Sequence, residues 1–501
     1  MKLTKRILAL LLSATMVMGL VACGSSNTKE DTATTADATG EAATATTPDG
    51  YTVATDLTTE PITLTYFHFD SEETVDYLAK KFMELYPNIT VQTEYCQVSD
   101  SNTTLLNLVN NGQTPDCFMF SDADFALSNY MLYDITDYWN NDPDTANLAS
   151  TINDLGIGCY GTDRRYAAPM KFFPGIVYVD LNVLQALNVE APRKDWTWDE
   201  MIQLIKDTTD PTATPAYYGL GYYNRLDSLY GIAASQNIQG EFGFNGKTFD
   251  LSVWAVGEQQ FSDLKLGGYV APQTETQKME NWLGDWEGWA GNSNRVAVFT
   301  EAYWTYMNTW GTAAYADAGM DIVPYVIPAV DEVEGLHNTI ATIDMGGVSA
   351  GTEHPREAYE LLKFMGWGVD GWKAKLEVYG DETITNAAGL PLKYDSMPAP
   401  ITLDEGIWSE YRKLYPTDAE HAEYWDAYFK SCMQPICFGW MNIAGYWNFC
   451  DQYFNSIGIH DKVDSGEAKA ADYAEEATAQ ANYYHQEAMM EYFGIDTTAQ
   501  E

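Results

Sequence analysis

The chain has 501 residues, with 27 Lys and Arg against 72 Asp and Glu, a formal charge of −45, and 46% hydrophobic residues. That apolar content excludes a disordered chain, and the length supports two large lobes or about three ordinary domains, each able to bury a full core. Nearly three acids per base repel phosphate backbones and anionic head groups, which argues against nucleic acid and charge-driven membrane attachment and leaves neutral or cationic ligands open.

Lys2, Lys5 and Arg6 precede the apolar run Ile7 to Leu12, which continues to Leu20-Val-Ala-Cys23-Gly24. This is the layout of a secretory signal and is too short for a membrane span. The last five of these residues resemble the bacterial lipobox, which implies cleavage after residue 22 and lipidation of Cys23, palmitate included. Cleavage would remove three positive charges and leave 24 − 72 = −48. A buried Cys in an N-terminal helix would leave the basic start unexplained. From Gly24 to about Thr55 the chain is Thr, Ala, Asp, Glu, Ser and Gly, too poor in apolar surface to offset its ordering entropy. Residues 23–56 therefore read as a lipidated Cys and a disordered tether, with a random-coil reach of roughly 30 Å. Regular structure is expected from near residue 60.

Export permits disulfides among Cys96, Cys117, Cys159, Cys432, Cys437 and Cys450, with Cys432 and Cys437 the obvious local pair. Cys117, in the apolar run Asp116 to Phe120, reads as a buried thiol. No Cys-x-x-Cys occurs and the six His residues are scattered, so neither a metal nor a cofactor is expected.

Ile62, Leu64 and Tyr66 alternate as a strand; Asp70 with Glu73 forms a candidate capping box. Val75, Leu78, Ala79, Phe82 and Met83 then repeat at helical spacing up to Pro87, and Ile89 to Tyr95 alternates as a second strand. A helix around Leu105 to Val109 leads to a third strand, Cys117 to Phe120, so strands and helices alternate as in a parallel α/β sheet. Tyr166 to Tyr178 holds two prolines and many aromatics, which suits an irregular crossing between lobes. Thr197-Trp-Asp-Glu200 is a second candidate capping box. Pro355 opens a helix burying Ala358, Leu361, Leu362 and Met365. No internal repeat stands out.

The order of these features resembles extracellular solute-binding proteins of family 1, the maltose-binding-type lipoproteins that deliver sugars to ABC importers. Its marks are Tyr86-Pro-Asn-Ile, Thr114-Pro-Asp116, Ala168-Pro169 before Val177-Tyr178, and Trp196-Thr-Trp-Asp-Glu200. Ala297 to Trp304, Gly346-Gly-Val-Ser-Ala350, Gly389-Leu-Pro391, Ser465-Gly-Glu-Ala-Lys and Ala479-Gln-Ala-Asn482 follow in order. Val179 replaces the usual Asn, and Asp395 to Asp451 is unusually aromatic. The resemblance implies an α/β, two-lobed periplasmic-binding-protein-like fold, each lobe a mostly parallel sheet flanked by helices, with a ligand cleft between. The N-terminal lobe is expected over 57–170 with 346–395, and the C-terminal lobe over 171–345 with 396–495, crossings lying near 170, 345 and 395. The expected partners are an oligosaccharide or other small neutral solute, the transmembrane subunits of an ABC permease, and the extracellular face of a bacterial membrane through the N-terminal lipid only. The protein is expected to be a monomer.

A sugar site needs aromatic planes for C–H faces and carboxylates or amides for paired hydroxyl contacts. Trp304 falls where the resemblance places a cleft tryptophan, and Trp440, Tyr446 and Trp447 precede the closing helices, where the family carries another stacking residue. Asp70 and, after the third strand, Asp122 and Asp124 are candidate hydroxyl ligands, although the latter two also suit a helix cap. Met170, Lys171 and Phe172 come from the first crossing; Tyr222, Tyr223 and Asn224 form a polar aromatic loop. Trp282, Trp286 and Trp289 share one helical face and read as packing first. No Gly-x-Ser-x-Gly or His-Glu-x-x-His occurs, and Gly240 to Thr248 misses the P-loop spacing by one, Asn245-Gly246 reading better as a hairpin turn. No enzymatic activity is expected, the alternatives being a glycosidase, which needs only two suitably spaced carboxylates, or binding of a non-sugar solute.

Overall fold

A computed structural model describes residues 44–496, apart from 121–122, 155–163, 223–224, 235–240, 276–292, 301, 311–318, 331–338, 416–418, 434–436 and 439–442. Cys23 and the proposed signal, together with Asp122, Cys159, Tyr223, Asn224, Trp282, Trp286, Trp289 and Trp440, lie outside the described residues.

Regular structure begins earlier than composition predicts. Strands β1 (Thr44–Thr46) and β2 (Thr52–Ala54) pair antiparallel. One aromatic anchors them: Tyr51 is buried, its hydroxyl donates to Glu377 at 2.7 Å, and the ammoniums of Lys81 and Lys373 stand 4.7 and 5.7 Å from its ring centre. A single ring supplies the burial that a window of Thr and Ala averages away.

The β-α-β unit forms as the sequence predicts. β3 (Ile62–His68) and β4 (Ile89–Tyr95) run parallel around the Glu72–Leu85 helix, which buries Val75, Leu78, Ala79 and Phe82. The cap, however, lies one residue beyond Asp70: Ser71 Oγ accepts from the Thr74 amide at 3.5 Å. β5 (Cys117–Phe120) pairs parallel with β3 and is wholly buried, with Cys117 a free thiol. Cys432 is also a buried free thiol, so the suggested local pair with Cys437 is not formed.

Tyr166 to Tyr178, expected to be irregular, is two strands: β6 (Ala168–Pro174) and β7 (Val177–Asp180). The remaining strands are β8 (Tyr218–Leu220), β9 (Val296–Phe299), β10 (Ile322–Tyr325), β11 (Ile340–Val348) and β12 (Cys437–Phe438). One sheet has the order β12-β11-β5-β3-β4, with β6 also on β11; the other has the order β10-β7-β9-β8. Both are mixed, because β11 runs antiparallel to β5 and β6, and β7 antiparallel to β9 and β10. The chain leaves the first sheet after Pro174 and rejoins it at Ile340, so residues 170 and 345 both lie inside strands of that sheet.

At the departure point, Gly175 admits no side chain. A β-carbon there would lie 2.6 Å from Ile340 Cγ2 and 2.7 Å from Ile327 Cδ1, so the outgoing and returning passages touch. Thr197 and Glu200 complete the predicted capping box, and Pro355 opens the Pro355–Met365 helix, which buries the predicted residues. Asn245-Gly246 is a turn, with Gly246 at φ 91° and Asn245 Oδ1 accepting from the Lys247 and Thr248 amides. Among the described residues, no helix is long and apolar enough to cross a membrane.

Candidate functional site

Antiparallel pairing of β6 with β11 sets Lys171 opposite Asp344 and Phe173 opposite Thr342. Side chains two apart on a strand share a face, so Lys171 and Phe173 rise together while Met170 and Phe172 point the other way. Met170 and Phe172, offered by the sequence as ligand contacts, are fully buried, and the space above Gly346 is filled by Met170, whose Cγ lies 2.6 Å from where a β-carbon would sit.

Lys171 Nζ donates to Asp70 Oδ1 at 3.0 Å; the two side chains are 9% and 15% exposed. Burial alone would raise the Asp70 carboxyl, but the Lys171 ammonium and the Ser71 amide outweigh it and hold the group below its ordinary value. Burial likewise opposes the charge on Lys171, and Asp70 and Asp344 more than reverse it, so this ammonium is held above its usual range. Around the pair, burial pushes Asp344 up to about 6, only partly offset by Lys171. Asp395 is raised by burial and by Asp70 and Glu73. Burial drops Lys375 to about 7, and its Nζ donates to the Gly366 carbonyl at 3.1 Å. The result is an acidic recess centred on Lys171, with Asp70, Asp344 and Asp395 around it.

An aromatic wall adjoins the recess. Lys171 Nζ stands 5.2 Å from the Phe173 ring centre, and Trp304 meets Phe173 edge to face at 4.6 Å. Trp304, half-buried, follows β9 of the second sheet, whereas Phe173 belongs to β6 of the first. The recess and wall thus lie where the chain passes between sheets. Carboxylates beside aromatic planes can bind hydroxyls and C–H faces at once.

Other predicted residues are placed elsewhere. Asp124 accepts from the Gly445 amide with both oxygens at 3.0 Å, tying the Ala123–Ser128 helix to the Tyr446–Phe449 helix. Tyr446 is buried against Phe242 and Phe249, with ring centres 5.2 and 6.1 Å away, while Trp447 beside it is 37% exposed. Tyr222 lies under Lys265, 5.0 Å from ring centre to ammonium, beside an ion cluster in which Arg225 pairs with Asp227, Glu258 and Asp464. Asp227, Glu258 and His460 bring three possible metal ligands within 4.8 Å of one another, but the Arg225 guanidinium already supplies the positive charge there. These groups do not fit a metal.

Sequence reasoning missed Phe173, Asp344 and Asp395. A strict period of two from Lys171 would have selected Phe173 instead of Phe172. For Asp344 the available signal is that it is the lone acid in the apolar stretch Ile340 to Val348.

A family model described as bacterial extracellular solute-binding protein matches residues 69–366. Among solved structures, an ABC substrate-binding protein of Listeria monocytogenes in complex with cycloalternan is 17% identical, with TM-score 0.60, covering 86% of this chain and 99% of its own. A sugar transporter protein of Rhizobium etli in an open conformation is 15% identical, with TM-score 0.61, and covers 84% and 98% respectively. The sugar-binding protein MalE of Xanthomonas citri is 13% identical, with TM-score 0.59, and covers 85% and 98%. These likenesses establish the fold. No curated protein matches the chain.

Proposed function

The chain belongs to the bacterial extracellular solute-binding proteins, and from that premise we propose that it captures a carbohydrate, an oligosaccharide, between two lobes and delivers it to an ABC permease. One observation carries this reading: the carboxylates around Lys171 adjoin the Phe173–Trp304 wall where the chain passes between its two sheets. The Listeria neighbour's cycloalternan and the sugar-binding names of the other neighbours point the same way. Asp70, Lys171, Phe173 and Trp304 form the centre of the site; Asp122, Tyr223, Asn224 and Trp440 stay candidate ligand contacts on their sequence alone. One lobe is built on the six-stranded sheet and the other on the four-stranded sheet, and a ligand touching both favours their closed arrangement. The protein binds without chemistry of its own, acts as a monomer, and is held on the outer face of the cell membrane by a lipid on Cys23 after loss of residues 1–22.

The test is a titration of the chain from Gly24 onward against a panel of oligosaccharides, read by tryptophan fluorescence and thermal shift. A ligand that binds only the folded state must raise its stability, so both signals should saturate for one linkage class. Silence across the panel from a folded sample would refute the carbohydrate reading. Hydrolysis products after long incubation would refute the absence of chemistry.

A further inference from the structure

We propose that Asp344 is a ligand contact: set across the β6–β11 pair from Lys171, its carboxyl accepts a hydrogen bond from a hydroxyl of the bound sugar, and with Asp70 and Asp395 it turns away sugars that carry a carboxylate. The inference rests on the carbohydrate reading above and names the group that selects within it.

Three observations carry it. First, register places Asp344 directly opposite Lys171, yet the ammonium is engaged by Asp70 at 3.0 Å instead. Among the described residues, the Asp344 carboxyl accepts no hydrogen bond and makes no salt bridge. The side chain is half-buried and its oxygens are not sealed from solvent, so it is an open acceptor that a hydroxyl entering the recess can reach without displacing a protein partner. Secondly, this face continues into aromatic side chains, Phe173 nearly buried and Trp304 half-buried against it. Phe173 is two residues along β6 from Lys171, and Trp304 rests on Phe173 at 4.6 Å. A sugar ring whose C–H face lies on that wall turns its hydroxyl edge toward neighbouring polar groups. Thirdly, the charge balance is acidic. Asp70 lies close enough to act on the ionisation of both Asp344 and Asp395, whereas Lys171 is committed to Asp70 and Lys375 is buried on the Gly366 carbonyl. A hydroxyl enters this field as a donor; a carboxylate enters it against repulsion.

The experiment compares wild type, Asp344→Asn and Asp344→Glu against the best neutral oligosaccharide from the panel and its uronate counterpart, with dissociation constants and Tm measured for each pair. Wild type should bind the neutral sugar and reject the uronate. Asp344→Asn should weaken the neutral sugar about ten- to a hundredfold, the range for a hydrogen bond to a charged group, and narrow the gap to the uronate without lowering Tm. Asp344→Glu keeps the charge but displaces the carboxyl, so it should weaken the neutral sugar while still rejecting the uronate. An unchanged neutral-sugar affinity in Asp344→Asn, or an unaltered neutral-to-uronate ratio, overturns the inference while the carbohydrate reading stands. Wild type that binds no sugar overturns both.

Discussion

Replacing Lys171 with Met keeps most of the stem and removes the ammonium that stands 3.0 Å from Asp70. Asp70 would retain the Ser71 amide at 2.8 Å, but its side chain is only 15% exposed, so water cannot replace the lost cation. Removing one partner of a buried pair costs about 3–5 kcal/mol, because the other charge is left stranded. Lys413→Ala, which breaks a surface pair with Glu410 whose side chains are 64% and 60% exposed, should cost below about 1 kcal/mol. The sign with pH follows. In wild type Asp70 is held low, so its stabilising contribution is present above the ordinary carboxylate range and lost as pH falls through the lowered value. Without Lys171 the carboxyl is held high by burial, and ionising it becomes a penalty that grows as pH rises. The gap between wild type and Lys171→Met should therefore widen from about pH 5 to about pH 8, in urea denaturation at constant m. The double variant Asp70→Leu/Lys171→Met should recover most of the loss. A gap below about 1 kcal/mol at the higher pH, or one insensitive to pH, would refute this account of the recess.

Burial lifts Asp344 from 3.8 to about 6, so the folded state holds this proton more tightly than the unfolded chain and loses stability as pH rises through that interval. At 1.36 kcal/mol per unit this amounts to at most about 3 kcal/mol, and Asp344→Asn should raise Tm above about pH 6 but not below about pH 4. Trp304→Ala should weaken sugar binding by about 1–3 kcal/mol in a fluorescence or calorimetric titration; unchanged affinity with lost thermal stability would make it a packing residue instead. Tyr51→Ala should release the β1–β2 hairpin, read as new protease cleavage within residues 44–54 while the main unfolding transition remains cooperative. Thr197→Ala should cost about 1 kcal/mol by removing the capping box, measured by denaturant midpoint.

Much of the architecture was legible from periodicity. Ile62 to Phe120 alternates between periods of two and of three to four, and those elements form in that order. Capping chemistry was legible at Thr197 and Pro355, but slipped at Asp70. There a carboxylate and a hydroxyl stand side by side, and the deciding partner, Lys171, is about a hundred residues away. The same distance explains the site. Lys171 and Trp304 were visible as isolated residues, but choosing Phe173 over Phe172 required knowing which face of β6 looks outward, and Asp344 gains meaning only from its register with β6. Tyr446 looked like a stacking residue in sequence because aromaticity does not distinguish a wall from a core. Phe242 and Phe249, roughly two hundred residues earlier, close over it.

Gly175 gives the junction between the two sheets a mechanical character. Its bare α-carbon is where the outgoing passage meets Ile327 and Ile340 of the returning one, and its amide donates to the Ile340 carbonyl at 3.3 Å. The two spans are not held at that point alone: from Ala168 opposite Gly346 to Pro174 opposite Ala341 they run side by side as paired strands, so the junction is a seam that Gly175 closes at one end. Phe173 stands two residues from the end of that seam, so a molecule resting between Trp304 and Lys171 would touch the very strand that stitches the outgoing passage to the returning one.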